Sequence, residues 1–323
     1  MANWVGATGN WGIAANWSPA TVPNGALADA NINNGGTAAL TGGQAFTVAT
    51  LEITATSFVS IGDNSALTVA TSIYNAGTIL IGNSGNIAGL NIAGGSTVTL
   101  SGGGTIVMGG STANDYIRDA AASTGKLINV DNLIQGVGHV GNGQLAFDNQ
   151  AHGVINANIA GGALTVQPNS AGLTNHGILE ATIGGNLVIS GASLGQFGNS
   201  GGQILASGAN SVVDLLGGVT VAGGLLNGSG GGVITTVGGG SATLDGSTQG
   251  AVTIAGAFVV NDNSSLQLKG TVSITGNLLV NSLGNFADLR IADGTTLTGG
   301  GSITLGAQLD NRLFGLSVCP MSS

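Results

Sequence analysis

Phe147-Asp148-Asn149 opens a unit that runs through Gly153-Val154-Ile155-Asn156-Ala157 to Leu164-Thr165-Val166. Leu173-Thr174-Asn175 opens a second, followed by Gly177-Ile178-Leu179-Glu180-Ala181 and Leu187-Val188-Ile189. Phe197-Gly198-Asn199 opens a third, with Gly202-Gln203-Ile204-Leu205-Ala206 and Val212-Val213-Asp214-Leu215. A fourth reads from Leu225-Leu226-Asn227 through Gly232-Val233-Ile234-Thr235 to Ala242-Thr243-Leu244. The anchoring asparagines, Asn149, Asn175, Asn199 and Asn227, are nearly evenly spaced, and Ile73-Tyr74-Asn75-Ala76-Gly77-Thr78-Ile79 is an earlier copy. Each unit holds runs of three to five residues that alternate apolar and polar, the pattern of short strands with one buried face.

A period of about 25 residues with several short strands in each repeat marks a β-solenoid. One winding cannot bury its inward side chains alone. Windings stacked about 4.8 Å apart pair each strand with its copies above and below, in parallel, and merge the inward Val, Ile, Leu and Phe into one apolar column. Glycine and asparagine serve the corners, where the backbone enters the left-handed region. Stacked asparagines can also hydrogen-bond along the axis. The expected fold is therefore all-β: a parallel, right-handed β-helix of about 11 to 13 windings, a rod about 50–60 Å long, with capped ends.

The rest of the chain agrees with this texture from Gly35 to about Leu305. Glycine takes 61 of 323 positions, far above its usual share of about 7 %. Only 5 Lys+Arg and 14 Asp+Glu are present, yet 42 % of residues are hydrophobic and the mean hydropathy is +0.41. There is apolar surface to bury, so the chain is not disordered by composition. Four prolines and no three-residue glycine period exclude collagen. A single cysteine, Cys319, excludes a disulfide scaffold. A net charge of −9 argues against nucleic acid as a partner. No apolar run is long enough for a membrane-spanning helix, so no membrane insertion is expected. Met1-Ala2-Asn3-Trp4 carries neither the basic nor the apolar region of a cleaved leader, leaving open a mature piece or another export route.

The ends depart from the repeat. Residues 1–34 hold all three tryptophans (Trp4, Trp11, Trp17) with Pro19 and Pro23, and bulky aromatics over the last winding would cap an open end. The solenoid is expected over 35–309. Residues 310–323, from Asp310 through Asn311-Arg312-Leu313-Phe314 to Ser323, break the pattern and read as a cap or a connector.

Gly9-Asn10-Trp11, Ala15-Asn16-Trp17-Ser18, Val22-Pro23-Asn24 and Ala28-Asp29-Ala30 with Ile32 resemble the opening of bacterial autotransporter-associated and haemagglutinin-like exoprotein β-strand repeats. The run Asn132 to Gly143 and the unit Asn175-His176-Gly177-Ile178-Leu179-Glu180-Ala181 are similar to repeats of the same secreted proteins. The resemblance spans most of 9–305. It implies a β-helix, an extracellular or cell-surface location, and a passenger or stalk role in an adhesin. The membrane barrel and the calcium-binding nonapeptides that often accompany such regions are missing here.

Chemistry-bearing residues are few. Asn114-Asp115-Tyr116-Ile117-Arg118-Asp119, with Lys126 close by, is the densest polar cluster. In a β-helix lyase a basic residue takes a proton and acids, often with calcium, neutralise the sugar carboxylate, so Asp115, Arg118, Asp119 and Lys126 are the residues an enzymatic alternative would use on acidic polysaccharide. A solvated loop with a local ion pair explains them as well. His152 and His176, each just after an anchoring asparagine, could stack one winding apart, but two imidazoles lack a third metal ligand; His139 completes the histidines. Asp63, Asp262 and Asp293 each precede a small polar stretch and a leucine four residues on, as in Asx turns; they are the weak calcium candidates. Asp288-Leu289-Arg290 reads as an outward alternating ion pair. Threonines alternate on some strands, without the sustained ladder of an ice-binding face.

The expectation is a non-enzymatic secreted module, structural or adhesive, without an obligatory cofactor. It would contact carbohydrate or a cell surface along an uncharged flank and associate with its own copies end to end, as in a fibre.

Overall fold

Alternation of apolar and polar residues over three to five positions cannot bury a face without neighbours, and the neighbours here are the next windings of the same chain. A computed structural model describes residues 1–316 except 83, 111–113, 122–123 and 193–194. It is a β-solenoid of about 13 turns. Each winding has three faces. In mid-chain, Val154–Ala157 lies on one face, Ala163–Val166 on the next and Leu173–Asn175 on the third, after which Ile178–Thr182 returns to the first.

We call these the B, C and A faces. On the B face the stack begins at Thr8–Asn10 and ends at Thr296–Thr298. The C face ends at Ser302–Leu305 and the A face at Asn311–Leu316. Long strands such as Ala45–Ile53 and Ser264–Ile274 turn a corner and serve two faces. Among the described residues every pairing is parallel except that of Ala2–Trp4 with Trp17–Ser18. Winding length varies: Phe58 pairs with Thr78, whereas Thr105 reaches further along the chain to pair with Leu133. The difference is absorbed in the corners, where the ladder imposes no count.

Inward residues form one dry column from Ala2 and Trp4 to Leu289. Its cross-section is rebalanced along the axis. On the B face the inward series Leu40, Ile61, Ile81, Met108 gives way to Ala157, Ala181, Ala206. In those same windings the A face supplies Phe147, Leu173 and Phe197, so volume lost on one wall is restored on another, as close packing requires.

The asparagine anchors are buried at the end of the A face. Asn129 donates to Asn149 (3.0 Å), Asn149 to Asn175 (2.9 Å) and Asn175 to Asn199 (2.7 Å), all through Nδ2 to Oδ1. Asn75 joins from the other side by donating to Asn132 (2.8 Å). Asn227 does not belong to the ladder. It pairs with Leu205 on the B face, and Gly223 follows where the next rung would stand. The fourth unit is thus one face out of phase, because a glycine corner replaces the asparagine there. Asn199 instead donates to the Gly223 carbonyl (3.4 Å).

The segment 1–34 forms the first winding. Ala2–Trp4 pairs with Asp29–Ile32, and Thr8–Asn10 with Thr37–Leu40. Trp4, Trp11 and Trp17 are buried and packed edge to face, at centroid distances of 5.0 Å (Trp4–Trp17) and 4.8 Å (Trp11–Trp17). The Trp17 indole donates to the Trp11 carbonyl (2.8 Å) and the Trp11 indole to the Pro23 carbonyl (3.3 Å), while Trp4 Nε1 is buried without a partner. At the other end, Asn311–Leu316 continues the A face in register over Ala287–Ala292. Cys319 lies outside the described residues.

Candidate functional site

The outward side of the A face carries the densest group of charges and rings, and strand register alone assembles it. Ser265 pairs with Asp288 and Asp288 with Arg312. Two residues along, Gln267 pairs with Arg290 and Arg290 with Phe314. Period 2 puts Asp288, Arg290, Arg312 and Phe314 on one outward surface.

Asp288 is outward yet only 3 % exposed, because two guanidiniums cover it. Arg312 grips it with both Nε (2.7 Å) and Nη2 (2.9 Å), and Arg290 Nη2 adds a third bond (2.9 Å). The Arg312 guanidinium lies 3.6 Å from the centroid of Phe286, a cation–π contact. Burial opposes ionisation of Asp288, but the bonds from Arg312 and Arg290 outweigh it and hold the carboxyl below its usual range. The bond to Asp288 likewise raises Arg312 above its ordinary value. Beside the cluster lies a cleft of about 230 Å³ whose other wall is Gly239, Gly240, Asn263, Ser264 and Ser265. Phe286 is 52 % exposed, and Arg290 Nε is buried without a hydrogen-bond partner.

The sequence holds both halves of this site, Asp288-Leu289-Arg290 and Arg312-Leu313-Phe314, without a local reason to join them. The signal that could have found it is the separation of Asp288 from Arg312, which equals one winding.

The cluster around Asp115 is divided by the same alternation. On Asp115–Asp119, Asp115 and Asp119 point inward and are buried, while Tyr116 and Arg118 point outward. Asp115 accepts the Gly110 N–H (2.8 Å). Asp119 accepts from the N–H groups of Ala121 (2.8 Å), Thr124 (3.2 Å) and Gly125 (2.6 Å). Both carboxylates organise corners. Arg118 sits 4.8 Å from the Tyr116 ring centroid, and Tyr116 stacks on His139 of the next winding at 5.1 Å. Lys126 is on the A face, paired with Asp148 (3.2 Å). The four residues of the enzymatic alternative do not converge on one surface.

Asp63 and Asp262 clasp the winding above. Asp63 accepts the backbone N–H (2.8 Å) and the hydroxyl of Ser84. Asp262 accepts the N–H groups of Leu283 (2.7 Å) and Asn285 (2.8 Å) and the Asn285 side-chain amide (2.8 Å). These donors, the Ser84 hydroxyl first for Asp63 and the Asn285 amide for Asp262, hold both carboxyls below their ordinary value. Asp293 is exposed. The calcium candidates are thus three separate corners, two of them facing donor hydrogens. No group of three or more His, Cys, Asp or Glu residues gathers in metal-binding proximity among the described residues. His176 turns its ring to the Ser200 carbonyl (2.8 Å) on the next winding; His152 is exposed at its own corner.

Comparison of the chain with protein-family models and with curated protein sequences finds no match.

Proposed function

We propose that this protein is a non-enzymatic structural or adhesive rod that works outside the cell or on its surface. One observation carries the reading: inward side chains pack a single apolar column from Ala2 and Trp4 to Leu289, while the outward faces present short, mostly uncharged residues along a rigid length. Such a body holds its ends apart and offers repeated contact surface. Lys126, Lys269, Arg290 and Arg312 are held in ion pairs with Asp148, Asp245 or Asp288. The scarcity of free charge and the lone cysteine fit an extracellular repeat protein, as does the likeness of its motifs to haemagglutinin-like repeats.

End-to-end association draws its support from the last described winding. There Leu297, Leu305 and Leu313 continue inward columns in register with Val272, Val280 and Leu289, and remain 40 %, 48 % and 49 % exposed. At the first winding the three indoles are buried. Association through the Leu305 end therefore covers leucines of the inward columns, whereas the indoles at the opposite end are already covered. Sedimentation and negative-stain imaging of the purified chain test both parts. A rod that pairs through this end, and separates in Leu305→Lys, agrees with the reading. A globular particle ends it, and a rod that stays monomeric at high concentration removes self-association. Adhesion to cells or polysaccharide-coated surfaces tests the adhesive role directly.

A further inference from the structure

We propose that the cleft between Arg290, Phe286 and the Gly239–Gly240 corner binds the carboxylate-bearing sugar residue of an acidic saccharide; this deepens the surface-contact reading above and rests on it. The two guanidiniums share one hydrogen-bonded carboxylate, Asp288, and Asp310 acts on Arg312 through charge alone, so hydrogen-bond donors rather than excess positive charge are what the cluster offers. Arg312 commits Nε and one Nη2 hydrogen to Asp288, and Arg290 commits one Nη2 hydrogen. A latch for the last winding needs Arg312 and Asp288. It does not account for Arg290 Nε, a buried donor with no acceptor on a side chain that is otherwise 39 % exposed beside the cleft; an unmet donor costs free energy, and a turn of that side chain brings it to a ligand oxygen.

The remaining walls specify what carries that oxygen. The exposed Phe286 ring, backed on one side by Arg312, gives a flat apolar platform suited to the C–H face of a pyranose. Ser264, Ser265, Asn263 and the glycine corner line the opposite wall with small polar groups, suited to sugar hydroxyls. A cleft of about 230 Å³ holds one sugar ring. Two guanidiniums balanced by Asp288 and Asp310 suit a monoanionic carboxylate better than a dianionic phosphate, and an arginine takes a carboxylate in parallel hydrogen bonds.

The test titrates the full chain with trigalacturonic acid and with its fully methyl-esterified form, read by calorimetry and by NMR. The acid is expected to bind, and the ester to bind at least about tenfold more weakly, since esterification removes the charge-assisted bonds. Arg290→Gln and Phe286→Ala are expected to weaken acid binding by about tenfold, with Arg290→Lys intermediate because it keeps the charge and loses the fork. Arg290→Gln should unfold close to the parent temperature, since the Arg312–Asp288 pair stays. Equal affinity for acid and ester, no binding of the acid, or acid binding untouched by Arg290→Gln overturns the site. The ester comparison needs no variant and so survives a misfolded one. A chain that binds trigalacturonate but adheres to no surface keeps the site and ends the adhesive role. A chain that adheres to surfaces but does not bind trigalacturonate does the reverse.

Discussion

The side-chain amide of Asn149 donates to Asn175 Oδ1, one winding on, at 2.9 Å, while the same nitrogen reaches the Gly153 carbonyl at 3.0 Å. One nitrogen therefore ties two windings and closes its own corner. Asn175 repeats the arrangement towards Asn199 and the Gly177 carbonyl. Each rung is fully buried, so its removal strands a neighbour's polar atom rather than handing it to water.

Asn175→Ala should therefore cost about 2–3 kcal/mol, from the unmet groups of Asn149 and the Gly177 corner. Asn175→Asp should cost more at pH 7, because Asn175 Nδ2 faces the Asn199 oxygen and the Gly177 and Gln203 carbonyls, and a carboxylate there meets acceptors only. Urea unfolding of both variants checks the order. An aspartate variant as stable as the alanine one contradicts the assigned direction of the ladder.

Two glycines separate backbone strain from crowding. Gly256 has φ +74°, and a Cβ there would lie 1.9 Å from the Gly228 carbonyl oxygen; Gly103 has φ +70° with open space around it. Gly103→Ala should cost about 1–2 kcal/mol, the left-handed penalty alone. Gly256→Ala must also displace the winding below and should cost about 3 kcal/mol or more. Thermal unfolding of the pair measures the difference.

Trp11 is buried and stacks at 6.2 Å on Phe46 besides meeting Trp17. Trp11→Ala should destabilise by about 3–5 kcal/mol, the range for removing a large aromatic from a packed site. Proteolysis should then begin at the N-terminal winding, as the opened column exposes Ile32 and Leu40. Cleavage starting elsewhere would show that the indoles are not what closes that end.

Acid should loosen the corners first. Asp63 and Asp262 are held below their ordinary value by donors from the next winding. Asp245 and Asp288 are also lowered, although burial opposes it, through bonds from Ser247 and Arg312 respectively. A carboxyl whose folded pKa is depressed contributes stability that is complete above its unfolded pKa, about 3.9, and is lost as pH falls through the folded value. Stability should thus fall steeply below about pH 4, and the fall should be shallower in a combined Asp262→Asn, Asp288→Asn variant. Equal slopes in urea midpoints against pH would refute the clasps.

Glu180 runs the other way. Burial raises its carboxyl above the ordinary value, so ionisation disfavours the folded state once pH exceeds the unfolded pKa of about 4.3. Glu180→Gln should raise the unfolding midpoint at pH 7 and leave it nearly unchanged near pH 3. A lower midpoint at pH 7 would assign Glu180 a partner that the structure does not show.

The sequence by itself determined the solenoid. Alternation, corner glycines and the asparagine spacing are local or periodic signals, and parallel stacking repeats one winding's solution in the next, so Asn149, Asn175 and Asn199 could be aligned from their spacing alone. Tertiary structure decided whatever depends on register and corner length. It moved Asn227 off the ladder, because Gly223 takes the corner before it. It turned Asp115 and Asp119 inward, away from Arg118, since their strand begins and ends on the core side. It set Arg312 over Asp288, because a winding's length is fixed only when its corners close. Inward residues are specified by the column they must fill; outward partners are specified by how many corner residues intervene, which no local pattern records.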